Sequence, residues 1–359
     1  QQAGHPLTDD VNGAHQEGFA AFDRNIHRGR RLSAARAYLH PVLGRPNLHV
    51  ICRAHSQRIL FDGRRAVGVE YTVRGQTLRA YAGEILSCAG SINSPQLLQL
   101  SGIGPAAELE ALAIDVVQDL PGVGENLQDH LEVYVQHACT QPVSMQPALH
   151  WWNKPWIGLQ WLLFRRGPAS TNHFEAGGFV RSNPAVAYPN LMIHFLPLAI
   201  RYDGTSPPTQ GHGYQIHIGP MGSDARGSIK LKSADPADKP ALRFNYLSTA
   251  QDRSEWLEAI ACARRILEQP ALRPYSGGEI SPGPDVATDE QILDWVARDG
   301  ETAYHPCCTC RMGTDEMSVL DPSSLQVFGV EGLRVVDASA MPYLTNGNIY
   351  APTMMLAEK

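Results

Sequence analysis

The chain has 359 residues, 43% of them hydrophobic and 18% charged, with a formal net charge of −6. That length fits two compact units, or one large α/β body with an inserted lobe, and the acidic balance argues against a nucleic-acid partner, which would need a basic stripe. Seven cysteines, an odd number without paired spacing, argue for reduced cytoplasmic thiols rather than a secreted disulfide framework, and no run has the apolar length of a membrane span.

Residues 1 to about 25 carry no strong period. Ser33 reads as the N-cap of a short helix through Leu39, which Pro41 and Gly44-Arg45-Pro46 end. Residues 48–87 read as three or four strands, the first being Leu48–Cys52. Arg58–Phe61 meets Val67–Tyr71 across Asp62-Gly63, a strong hairpin signal, and Arg74-Gly75 turns the chain again. Glu84–Cys88 is a continuous apolar run that reads as a buried strand. It leads into Ala89-Gly90-Ser91, where Ser94 is placed as an N-cap and Pro95 as the first helical residue. Gly90 lets backbone approach a ligand closely, although a tight strand–helix turn needs no ligand.

Gly122-Val123-Gly124 invites a dinucleotide reading, but Leu127 stands where the third glycine is needed, so this is not a phosphate loop. From residue 132 the chain turns strand-rich. Glu132–His137, Leu191–Phe195 and Tyr214–Ile218 alternate as half-buried strands. A helix is expected over 250–267 with Trp256, Ile260, Ala263 and Leu267 on one face, and a second at Thr288, where Gln291 completes a capping box. Together these predict an antiparallel sheet with helices on one side. Residues 145–170, rich in Trp, Pro and Gly, read as a cover over a site, with most of the tryptophans in the buried core.

The chemistry concentrates near the end. His305 can move a proton near neutral pH, and Asn348 offers a donor and an acceptor that do not titrate. Between them Leu333–Val336 reads as a strand ending in Asp337, and strand ends are where α/β enzymes place ligand-facing groups. The plainer reading is a buried, hydrogen-bonded histidine and a turn asparagine. His130, His173 and His217, each taken alone, read as structural. A zinc site from His305, Cys307, Cys308 and Cys310 lacks a second separated ligand pair, a serine hydrolase lacks its elbow motif, and a non-catalytic binding lobe stays open.

The string from Ala89 to Gly104, the Gly122–His130 segment, Asn172–Phe179, His194–Pro197, Phe244–Leu247, Glu279–Gly283 and the His305…Asn348 pair together resemble the glucose–methanol–choline (GMC) family of flavin alcohol oxidoreductases, most closely its choline-oxidising members. The resemblance implies a mixed α/β (α+β) fold. A Rossmann-like FAD-binding domain would cover 26–131 and 303–359, a substrate-binding domain with antiparallel sheet and helices 132–302, and residues 1–25 would be a segment of the substrate lobe. The family's Gly-x-Gly-x-x-Gly turn is missing, so the expectation is that the N-terminal FAD-binding segment is absent and that about 150 or more residues lie upstream.

The implied activity is FAD-dependent oxidation of a primary alcohol to an aldehyde, most closely choline to betaine aldehyde. By the resemblance His305 and Asn348 are catalytic, with His194 in support. Glu132, Phe174 and Glu175 bind substrate, while an aromatic wall expected near Ile200 is absent. Ser56, Ala89, Gly90, Ser91, Asp337, Ala338, Tyr350 and Ala351 line the flavin site, with no metal. A respiratory quinone is favoured over oxygen as electron acceptor. Peripheral contact with the inner face of the membrane and a homo-oligomer are left open. Glu132 suits a quaternary ammonium, which has no N–H to donate and is recognised by charge and aromatic faces.

Overall fold

A computed structural model describes residues 1–201 and 211–359 and separates the chain into two units of mixed α/β structure. One comprises 1–50, 131–220 and 253–301; the other comprises 51–130, 221–252 and 302–359. This division differs from the expected one at two places: 26–50 group with the first unit, and 221–252 with the second.

The first unit is built on an antiparallel sheet with the strand order Gly18–Ala21, Ala176–Val180, Leu191–Leu196, Gly213–Pro220, Leu131–Cys139, Ser276–Ser281. The register sets Val133 opposite Ile218 and Val135 opposite Ile216, and β-branched pairs of this kind stabilise a sheet. The Gly213–Pro220 strand is buried along its whole length rather than on one face. Its polar side chains must therefore find partners inside the protein.

The helix Ala250–Leu267 buries Trp256, Ile260, Ala263 and Leu267, as its periodicity predicts. Each large side chain there contributes about 1.5–3 kcal/mol relative to exposure. The helix Asp289–Asp299 starts on the expected capping box: Gln291 N donates to Thr288 Oγ1 at 3.2 Å and Thr288 N donates to Gln291 Oε1 at 3.0 Å.

The tryptophans of 145–170 are not core. Trp151, Trp152 and Trp156 are 75%, 57% and 67% exposed, and the helix Lys154–Phe164 buries no residue. The reason is that this helix is apolar on every side, so its spacing gave no inward face to assign. Trp161 is held by polar contacts: its Nε1 donates to Gly29 O at 2.6 Å, and the Arg165 guanidinium lies 4.0 Å from its ring centre. Among the described residues no helix is long and apolar enough to cross a membrane.

The second unit holds the meander Ala54–Asp62, Arg65–Val73, Gln76–Tyr81. Its second turn, Arg74-Gly75, has φ of 50° and 79°, the left-handed pair that a tight hairpin needs. Leu48–Cys52 forms no strand; pairing starts at Ala54, opposite Val73. The Ile85–Ser87 strand pairs in parallel with Leu333–Val335. Ile85 and Ser87 are buried but Leu86 is 56% exposed, so this short strand alternates and is not covered on both faces.

The helix expected to begin at Ser94 instead runs Gly90–Leu100. Its cap comes from a distant residue: Gly90 N and Ser94 Oγ donate to Asp337 Oδ2 at 2.9 and 2.6 Å. A carboxylate there also complements the helix dipole. Pro95 cannot donate to Ser91 O one turn back, and Thr309 Oγ1 donates to that carbonyl instead, at 2.6 Å. Leu98, Ile103, Val123, Val319, Leu320, Leu333 and Val335 form the core around this helix. Gly122 and Gly124 serve backbone packing: a Cβ would lie 2.1 Å from Met317 O at the first and 2.2 Å from Ile229 O at the second.

Candidate active site

In the second unit a reciprocal backbone bridge sets residue 128 against residue 307. Cys307 N donates to Gln128 O at 2.9 Å, and Gln128 N to Cys307 O at 3.2 Å. The bridge carries Asp129 and His130 to His305. Asp129 is a buried anchor: Oδ1 accepts from His305 N at 2.9 Å, while Oδ2 accepts from Tyr246 OH at 2.6 Å and from the Thr302 hydroxyl. Burial holds its carboxyl above the ordinary carboxylate value, although these bonds pull the other way. Gln128 Oε1 accepts from Leu344 N at 3.2 Å, and Asn126 Nδ2 donates to Pro342 O at 3.4 Å, which ties down the loop leading to Asn348.

The polar contacts of His305 read in one direction. His130 Nε2 lies 3.1 Å from Met221 O, a carbonyl that can only accept, so His130 carries its proton on Nε2. Its bare Nδ1 faces His305 Nδ1 at 3.0 Å, so His305 is the donor there. That leaves His305 Nε2 with a lone pair, and Asn348 Nδ2 donates to it at 3.2 Å. The structure brings His305 and Asn348 together, as expected. It also brings His130, which taken alone had read as structural, against His305; its place two positions before Glu132 in a recognisable segment was the available signal.

Removing the Asp129 carboxylate deprives the Tyr246 and Thr302 hydroxyls and the His305 amide of their acceptor. Asp129→Ala should lower stability by about 2–4 kcal/mol, while Asp129→Asn should cost about 1 kcal/mol, because the two hydroxyls can turn to accept from its amide. Urea unfolding compares them; equal losses for both variants would mean that packing, not acceptor capacity, is what Asp129 supplies.

Four of the residues assigned to the flavin meet at the start of the Gly90–Leu100 helix. Asp337, which joins it to the short helix Ala338–Ala340, has both oxygens occupied by internal donors, among them Ser339 N at 2.8 Å. Ser91 Oγ is buried and has no hydrogen-bond partner. A Cβ on Gly90 would meet nothing within 4 Å, and this glycine has φ of 82°. An open backbone edge beside an orphaned hydroxyl and a helix N-terminus fits an electron-rich ring or carbonyl ligand. Ala89 immediately precedes this edge and is exposed. Ser56, on the Ala54–Asp62 strand, and Tyr350 and Ala351, in the first turn of Tyr350–Glu358, are exposed and take no part in these hydrogen bonds.

In the first unit the strand register groups Glu132, Tyr134, His217 and His194. His217 lies opposite both Tyr134 and His194. Glu132 Oε1 accepts from His217 Nδ1 at 3.3 Å and from Tyr134 OH at 3.2 Å, and the same phenol reaches Glu301 Oε2 at 3.0 Å. Burial works to raise the Glu132 pKa, but the hydrogen bonds from His217 and Tyr134, together with the polar field of the nearby His217 and His194 rings, leave it below the ordinary carboxylate value. Burial and the two carboxylates push the Tyr134 phenol far up, so it stays a donor. Phe174 stands edge-on to His217 and His194, with ring centres 5.0 and 5.7 Å apart.

Glu175 does not join this group. It is turned to the surface, where it accepts from Arg24 at 2.8 Å and Thr171 at 2.9 Å. Sequence reasoning missed Tyr134 and His217; the period of two from Glu132 and the facing alternation of 191–195 with 214–218 held that signal. Cys307, Cys308 and Cys310 are buried free thiols. Among the described residues no cluster of three or more His, Cys, Asp or Glu is arranged to hold a metal ion.

Known proteins match this chain along its length. Models described as GMC oxidoreductase match residues 1–132, for the family's N-terminal part, and 223–357, for its C-terminal part. The first match corrects the expectation that the family's N-terminal part is absent altogether: residues 1–132 belong to that part, although the Gly-x-Gly-x-x-Gly turn is not among them. An oxygen-dependent choline dehydrogenase of Staphylococcus xylosus is 59% identical over 360 aligned positions, covering 100% of this chain and 64% of its own length. The chain thus spans less than two thirds of that relative. Among solved structures, pyridoxine 4-oxidase from Mesorbium loti superposes with a TM-score of 0.87 at 30% identity, covering 99% of this chain and 66% of that one. A formate oxidase of Aspergillus oryzae gives 0.92 at 23% identity, covering 99% and 67%, and shows the fold alone. Two models of one family, together with identity that runs through the whole sequence, answer the question of kinship: the chain belongs to the GMC oxidoreductase family.

Proposed function

We propose that this chain acts in the FAD-dependent oxidation of choline to betaine aldehyde, with oxygen as the electron acceptor. The observation that carries the reading is the lone pair on His305 Nε2, fixed by the Met221–His130–His305 chain and faced by the Asn348 amide. Alcohol oxidation removes a hydroxyl proton and a hydride. His305 Nε2 is the acceptor for the proton, and a base in this position contributes about 10²–10⁴-fold to rate. Asn348 orients the hydroxyl without titrating. Bound FAD supplies the hydride acceptor. Gly90 and Ser91 are the residues of this chain that would hold an edge of it, the open glycine allowing close approach and the orphaned hydroxyl offering a hydrogen bond.

Glu132 supplies the charge for the trimethylammonium group, with Phe174 as one aromatic face. Oxygen replaces the quinone favoured from the sequence, because the Staphylococcus xylosus relative is named oxygen-dependent. Under air, the FAD-loaded protein should release betaine aldehyde and hydrogen peroxide in equal amounts from choline. Aldehyde formed without peroxide would return the acceptor to a quinone or dye, and no aldehyde at all would remove choline as the substrate.

A further inference from the structure

The sheet face that carries Glu132 continues into a second layer of buried polar side chains that the proposed reaction does not use. Gln136 and Gln215 face each other across the register and are 3% and 0% exposed. Two donors converge on one atom: Ile200 N at 2.9 Å and Gln136 Nε2 at 2.8 Å both donate to Gln215 Oε1. Gln136 Nε2 also donates to Ile200 O at 2.8 Å. Both amides are thus oriented by one backbone residue whose donor and acceptor cannot exchange. Turning Gln215 over would set its NH₂ against two other buried donors.

With its oxygen held this way, Gln215 presents Nε2–H to His217 Nε2 at 2.6 Å. A donor there requires a bare ring nitrogen. The His217 proton is then on Nδ1, the atom 3.3 Å from Glu132 Oε1. The opposite tautomer would place N–H against N–H at Gln215 and a lone pair against the carboxylate. We infer that Gln215 is a positioning residue, anchored by Ile200, that fixes the tautomer of His217 so that Nδ1 donates to Glu132 and keeps this carboxylate aimed for a cationic substrate. The inference rests on the cation-binding reading of Glu132 for its consequence, but not for the tautomer itself.

The test has two arms. In ¹⁵N-histidine-labelled protein, His217 should carry its proton on Nδ1 and none on Nε2. Gln215→Glu, of equal shape, offers an acceptor to Nε2 and should place a proton there. Gln215→Met, which neither donates nor accepts, should lower kcat/KM for choline by about tenfold, through KM, and that for its neutral isostere 3,3-dimethylbutanol by no more than about twofold. A wild-type His217 protonated on Nε2, or equal losses for both alcohols in Gln215→Met, overturns the proposal. Should the methionine variant fail to fold, the spectra of wild type and Gln215→Glu decide alone. If the spectra hold but Glu132→Gln shows no preference between the two alcohols, the failure lies with the cation reading and not with Gln215.

Discussion

Replacing His305 by alanine is expected to slow reduction of the flavin by choline about 10²–10⁴-fold, a loss of about 2.7–5.4 kcal/mol of transition-state stabilisation. The size follows from what is removed. Nε2 is an unprotonated nitrogen, held by a tautomer chain that ends on the Met221 carbonyl. The Asn348 amide that faces this atom presents its NH₂, which cannot take the proton. The edge at Gly90 and Ser91 that we propose for the flavin hydrogen-bonds to Asp337 and Thr309. FAD content should therefore change far less than turnover. A variant with near-normal reduction would demote His305 to a packing residue; one that loses its flavin would show that the ring supports cofactor retention instead.

The second large effect belongs to Glu132. Glu132→Gln should cut kcat/KM for choline by about ten- to a thousandfold, or about 1.4–4 kcal/mol, while 3,3-dimethylbutanol loses far less. A carboxylate about 4 Å from a cation contributes on the order of 4 kcal/mol at an effective dielectric near 20, before desolvation is subtracted. The pH dependence has a definite sign. The folded-state pKa of Glu132 is depressed: burial acts to raise it, and the hydrogen bonds from His217 and Tyr134 outweigh that. Its contribution to stability is thus present above the unfolded value, about 4.3, and is lost as pH falls through the lower folded value. Recognition of choline should follow the same carboxylate, so KM should not rise on its account until pH drops below the ordinary carboxylate range. Equal losses on the charged and neutral alcohols would assign Glu132 to the fold.

Much of this was legible in the sequence where the determinants are local. The Arg74-Gly75 turn, the buried face of 250–267 and the Thr288–Gln291 capping box each rest on residues within a few positions of one another. The pairing of His305 with Asn348 was legible through the family motif. What failed depended on distant partners. Ser94 looked like a cap because the true cap of its helix, Asp337, lies 243 positions away in the chain. The contact of His130 with His305 could not be read, because the two lie 175 positions apart. Tyr134, Gln215 and His217 emerge only when strand register brings them to one face with Glu132. Trp151, Trp152 and Trp156 were assigned to the core by residue type, and a helix apolar all round gives no moment to correct that.

In the mechanism we propose, this chain's own residues, His305 above all, remove the alcohol proton as choline reduces the flavin. Anaerobic mixing of choline with FAD-loaded wild type and with His305→Ala, followed by the flavin's visible absorbance, tests it most directly. Rapid bleaching is expected in the wild type, and bleaching slowed by about 10²-fold or more in the variant at equal flavin content. Bleaching at the same rate in both, or none in the flavin-loaded wild type, would contradict it.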